Sequence, residues 1–151
     1  MSNVFSYRTS SDQLKVPFGR REDADGKVWL QVVAHDDLTA LTPYKVIVNE
    51  YGYVTAALAD DTNYYYVGVP AGAVDSGDIC WVQIGGYIED MVTPSLSVSV
   101  GHALKIDGGA VADAGADFSG GSSEFAVCTA ASSSSTTQDA VLVPERILAT
   151  T

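Results

Sequence analysis

Apolar and polar residues alternate along most of this chain in short stretches, each bounded by glycine, proline, asparagine or aspartate. That is the period of half-buried strands, not of helices. The clearest stretch is Lys27 to Ala34 (Lys-Val-Trp-Leu-Gln-Val-Val-Ala), introduced by the turn dipeptide Asp25-Gly26. Pro43 opens a second strand, Tyr44 to Glu50, and Tyr51-Gly52-Tyr53 turns it into Val54 to Leu58, so the two read as a hairpin. Asp60 to Asn63 makes another turn, and Tyr64 to Val69, aromatic and β-branched and closed by Pro70, reads as a strand.

Two central strands are each introduced by a glycine turn and each run out into paired glycines. Ser76-Gly77-Asp78 precedes Ile79 to Ile84, which continues as Tyr87 to Val92 after a kink at Gly85-Gly86. Val100-Gly101-His102 precedes Ala103 to Ile106, which ends before Gly108-Gly109. Glu124 to Thr129 is a further strand, and Ala140 to Val143 with Ile147 and Leu148 closes the fold. His35 to Pro43 suits one helical turn or a loop. Gly115 to Ser123 and Ala130 to Gln138 are low in complexity, the latter with Ser132 to Ser135 in a row, and read as surface loops. Eight or more short strands without a long helix predict an all-β fold, a small β-barrel or sandwich.

The first residues differ from this body. Met1 to Gly19 mixes Ser, Thr, Asn and Arg with isolated apolar residues, and Pro17 confines any strand there to an edge. The reading is an extended N-terminal arm, residues 1–21, ahead of one β-barrel-like domain, residues 22–151. A chain of 151 residues fits a single core of this kind without a disulfide or metal.

Composition agrees: 46% of residues are hydrophobic and only 18% charged, with few of the residues that solvate helical bundles. The net charge of −11 argues against a nucleic-acid-binding body. That charge is unevenly placed, since residues 1–21 hold Arg8, Lys15, Arg20 and Arg21 against Asp12, a net +3, and the remainder is −14. No apolar run is long enough for a membrane helix, and the opening residues lack the apolar segment of a signal peptide, so synthesis in a cytoplasm is expected. Cys80 and Cys128 lie in strand-like apolar surroundings and are expected to be buried free thiols.

Candidate chemistry is sparse. His35 beside Asp36-Asp37, with His102 elsewhere, matches no metal-ligand spacing, and Asp60-Asp61-Thr62-Asn63 lacks the alternating acids and distal glutamate of a calcium loop. No serine sits in Gly-x-Ser-x-Gly, and the double glycines do not precede helices as a phosphate cradle would. No catalytic residue, metal or cofactor is assigned, and the expectation is a non-enzyme. Trp29 and Trp81 are expected in the core. Tyr51, Tyr53, Tyr64, Tyr65 and Tyr66 are the candidates for subunit contacts, because a tyrosine ring is apolar while its hydroxyl tolerates water.

The segments Ala71 to Gly86 and Val98 to Val111 carry a small-residue turn before Gly77-Asp78, the strand Val82-Gln83, a glycine, and then Val98-Ser-Val-Gly101-His-Ala-Leu104. This order resembles that of the capsid decoration, or cement, proteins of tailed bacteriophages, over about Asn63 to Leu148. The resemblance implies a compact β-barrel, a homotrimer, bound on the outer surface of the virion head where major capsid protein subunits meet, with no nucleic acid or membrane as partner. It also implies an arm that adds a strand to the shell. Val4, Tyr7, Leu14, Val16 and Phe18 would then fill pockets, and Arg8, Lys15, Arg20 and Arg21 would meet acidic shell residues. The Ser-rich segment 130–138 departs from a minimal member of the family. The competing readings are another phage structural module, such as a head-fibre base or tail component, a small trimeric nucleotide hydrolase whose aspartate and substrate loop are missing, and a carbohydrate-binding β-module.

Overall fold

The structure is a computed structural model that describes residues 19–50, 52–58, 66–119 and 123–144. The arm residues Val4, Tyr7, Arg8, Leu14, Lys15, Val16 and Phe18 lie outside the described residues, as do Tyr51, Tyr64, Tyr65 and the closing Ile147-Leu148. The described residues form ten strands and no helix: β1 (Arg20–Glu22), β2 (Val28–Val33), β3 (Tyr44–Asn49), β4 (Gly52–Ala56), β5 (Tyr66–Pro70), β6 (Ile79–Val98), β7 (His102–Asp107), β8 (Ala110–Asp117), β9 (Glu124–Cys128) and β10 (Ser132–Leu142).

Strands β2, β4, β3, β5 and β6 follow one another around a closed barrel, because β6 pairs with β5 on one side and returns to β2 on the other. All these pairings are antiparallel except β2 with β4, which run parallel and meet at Val33 and Val54. Alternation along Val-Trp-Leu-Gln-Val-Val puts Val28, Leu30 and Val32 inside, where they meet Val46, Val82 and Ile84. Gly68 has no side chain because there is no room for one: a Cβ would lie 2.5 Å from Val82 Cγ2.

Strand β6 is 20 residues long and serves both halves of the molecule. Its first part closes the barrel, and from Gly86 onward it pairs antiparallel with β10, beyond which lie β9, β7 and β8. The predicted kink sits at this handover. Gly86 adopts φ +86°, a left-handed conformation natural only to glycine, and its backbone passes so near the β2 turn that a Cβ would lie 2.8 Å from the Gly26 carbonyl. The second core fills the space between the barrel's outer wall and this second sheet, joining Val67 and Val69 of β5 to Ile88, Met91, Leu104, Phe125 and Leu142.

Four expectations change. The Ser-rich segment read as a loop is strand: Ser132 to Leu142 form β10, paired with β6 through register shifts that fit its irregular backbone. Within β10 Ser132 Oγ donates to Gln138 Oε1 at 2.7 Å, and across to β6 the Ser134 N–H donates to Ser97 Oγ at 2.9 Å. The segment from Gly115 is likewise strand as far as Asp117, the end of β8, whose Ala-rich sequence carries little β signal. Gly108 and Gly109, at φ +61° and +79°, form the two-residue turn between β7 and β8. Trp29 and Trp81 are half-buried on the outside of the barrel, not in its core. Finally, Arg20 and Arg21 belong to the sheet, opposite Leu30 and Trp29.

Candidate functional site

Chain entering the body does so along β2. The Gln31 N–H donates to the Gly19 carbonyl at 2.7 Å, so the chain is already in register with the barrel one residue before β1 begins. Gly19 is buried in a tight place, where a Cβ would meet Gln31 Oε1 and the rim of Trp81, each at 3.1 Å. Gln31 Oε1 itself is buried without a hydrogen-bond partner. An acceptor, an indole and a close-packed glycine thus mark the spot where the arm leaves the body.

Two of the nine arm residues singled out by sequence are described. The Arg21 guanidinium lies 4.7 Å from the centre of the Trp81 ring, a cation–π contact that covers an otherwise half-exposed indole. Arg20 lies close enough to Tyr53 for its charge to favour the phenolate, opposing the burial that pushes the Tyr53 hydroxyl up. The positive charge of β1 is therefore turned partly onto the protein's own aromatic rings. Of the five tyrosines proposed for subunit contacts, Tyr53 and Tyr66 are described, and they meet edge to face, with ring centres 6.3 Å apart at 75°. Both rest against the barrel core.

The remaining reactive groups are held inert or apart. His35 and His102 are not brought together: the His35 N–H donates to Thr55 Oγ1, whereas His102 Nδ1 lies 3.1 Å from Asp113 Oδ1. Among the described residues no three His, Cys, Asp or Glu side chains form a group able to hold a metal ion. Both cysteines are free, and burial pushes each thiol up to about 11, so neither is a ready nucleophile at neutral pH.

Sequence reasoning missed the polar clamp at the head of β2. Asp23 accepts from the Asp25 and Lys27 N–H groups through Oδ1, at 3.0 and 3.1 Å, and from Trp29 Nε1 through Oδ2 at 3.0 Å. These bonds, that from Trp29 foremost, hold its carboxyl below the usual carboxylate range. The signal was present in an aspartate two residues before Asp25-Gly26 and six before a tryptophan.

No family model matches the chain, and no curated protein matches it. Among solved structures it is similar to the head fiber gp8.5 N base of bacteriophage phi29, with a TM-score of 0.50 and 17% identity over 80% of this chain and 98% of that one. At this identity the likeness is one of fold, and it extends along nearly the whole of that base.

Proposed function

We propose that this chain is a structural protein of a tailed-phage virion, mounted on the outside of the head and held there by its N-terminal arm. The observation that carries the reading is the fold shared with a head-fibre base over 98% of that protein. The uneven charge supports it, a net +3 in residues 1–21 ahead of a strongly acidic body. The arm supplies backbone hydrogen bonds by adding a strand to the shell, Val4, Tyr7, Leu14, Val16 and Phe18 supply apolar contacts, and Arg8 and Lys15 meet acidic capsid residues. A protein that binds the expanded shell in preference to the unexpanded one stabilises that state by mass action, with no bond made or broken.

The resemblance read from the sequence favours a cement role at the contacts between major capsid protein subunits, as a homotrimer. The solved neighbour favours a second reading, in which the domain is the base of a head fibre. Both need the same anchoring, and cryo-electron microscopy of the virion separates them, by a copy at every lattice contact or at sparse fibre positions.

The direct test mixes purified protein with expanded and unexpanded heads. Truncation should remove residues 1–18 only, because Gly19 accepts the Gln31 N–H and β1 completes the sheet. The truncated protein is expected to remain folded and to lose head occupancy. Full occupancy without the arm would overturn the proposal.

A further inference from the structure

A cleft of about 390 Å³ opens on the barrel's outer wall, where β2, the end of β5 and the turning part of β6 converge. It lies at the small end of the range of ligand pockets, about 300–1,000 Å³. Its lining divides into apolar surfaces and hydrogen-bonding groups: Trp29, Tyr87 and Pro70 supply the first, and Gln83, Lys27 and Glu89 the second.

The chemistry left available is specific. The Trp29 N–H is already committed to Asp23, so the indole offers the cleft its ring and no donor. Gln83 is 4% exposed, and its amide nitrogen donates to the carbonyls of Gly85 at 3.0 Å and Tyr87 at 2.9 Å. With both N–H bonds committed, the side chain has its acceptor oxygen left to offer, on a carboxamide that cannot turn. Tyr87 is 41% exposed, an aromatic ring left at the surface, with its hydroxyl 3.4 Å from Glu89 Oε1. Lys27 adds an ammonium donor. Opposite charges at Lys27 and Glu89 give the cleft no preferred ligand sign, while the acidic body discourages polyanions.

We propose that this cleft is a binding site for a neutral saccharide. A pyranose ring has apolar C–H faces and a rim of hydroxyl groups, each both donor and acceptor. The faces match Trp29 and Tyr87, and the rim matches the Gln83 oxygen, the Glu89 carboxylate and the Lys27 ammonium. A purely aromatic ligand would leave the oxygen of the buried Gln83 without a donor, at the desolvation penalty such a group carries. The inference goes beyond the anchoring role and stands or falls separately from it.

Trp81→Phe leaves Trp29 as the single tryptophan of the full-length chain. In that background, titration with neutral hexoses, N-acetylhexosamines and their short oligomers, alongside a nucleoside and a sialylated sugar, reads occupancy from Trp29 emission. A saturable change with at least one neutral sugar is expected. Tyr87→Ala, which removes an exposed ring, and Glu89→Ala are each expected to weaken that sugar about tenfold, and to leave head occupancy unchanged when made in the chain that keeps Trp81. Silence across the neutral sugars, a response confined to the nucleoside or the sialylated sugar, or undiminished binding by Tyr87→Ala would overturn the proposal.

Discussion

The barrel and the sheet beyond it share one strand and are filled in different ways. The barrel interior is aliphatic, with valine, leucine and isoleucine on β2, β3 and β6. The second core mixes Met91, Phe125, Cys128, Ala126 and Ala140, and beside it lies a buried polar group. There the Gln138 amide nitrogen donates to the Ser135 carbonyl and to Thr93 Oγ1, and its oxygen accepts from Ser132 Oγ. Small residues and a fixed amide replace bulk. An aliphatic barrel is specified by shape and volume, whereas the second sheet depends on every member of its hydrogen-bonded cluster being present.

The largest break in that comparison is expected at Gly86, where the two halves join. An alanine there combines a left-handed backbone with a Cβ 2.8 Å from the Gly26 carbonyl and 2.9 Å from Lys27 Cα, both backbone atoms that cannot swing aside. A loss of about 4 kcal/mol in urea denaturation is expected. Gly85→Ala, without a positive φ and meeting the Pro144 ring, should cost less.

Matched truncations come next. Leu30 in the barrel and Leu104 in the second core are both fully buried, and each is expected to lose about 3 kcal/mol as alanine. Both tryptophans lie on barrel strands. If β6 binds the halves into one cooperative unit, Leu104→Ala lowers the midpoint reported by tryptophan emission as much as Leu30→Ala does. A tryptophan midpoint untouched by Leu104→Ala would show two independently melting halves.

The same contrast explains what the sequence announced. Val28 to Val33 alternates cleanly, Tyr44-Lys-Val-Ile-Val is β-branched, and Gly85-Gly86 marks a bend, so the barrel and the break in β6 were legible. Ser132 to Thr137 and Ala110 to Asp117 were not, because their strand character comes from partners distant in sequence: Leu96 and Val98 across from β10, and β7 across from β8. Low complexity was mistaken for lack of order. The tryptophans misled for a related reason, as a β-branched neighbourhood signals a strand but not which face of it a ring occupies. The cleft drew on three strands distant in sequence, β2, β5 and β6, and only Trp29 and the general wealth of tyrosine hinted at it.

A smaller change sharpens the second half of the comparison. Gln138→Leu keeps the volume but removes the acceptor of Ser132 Oγ and the donor to Thr93 Oγ1 and the Ser135 carbonyl, while the Leu96 and Pro94 carbonyls still serve the two hydroxyls, so about 1 kcal/mol should be lost. A leucine that proves neutral would show that this core, like the barrel, is governed by volume alone.

The mildest effect is electrostatic and belongs to the barrel. Asp23 joins the turn before β2 to the Trp29 ring, and its carboxyl sits below the ordinary 3.8 chiefly because Trp29 donates to it. A carboxylate with a lowered folded pKa contributes stability that is complete above 3.8 and disappears as the pH falls through the folded value. Acid titration of the Trp81→Phe variant should therefore show a step in Trp29 emission below 3.8 and none above it. In Asp23→Asn the side chain still offers an oxygen to the turn but has no charge to lose, so that step should vanish while the fold persists. Every other residue is common to the two proteins, so the difference between the two curves isolates the clamp. The same step in both proteins would mean that Trp29 reports a general loosening of the barrel in acid and that the Asp23 bond is incidental to it.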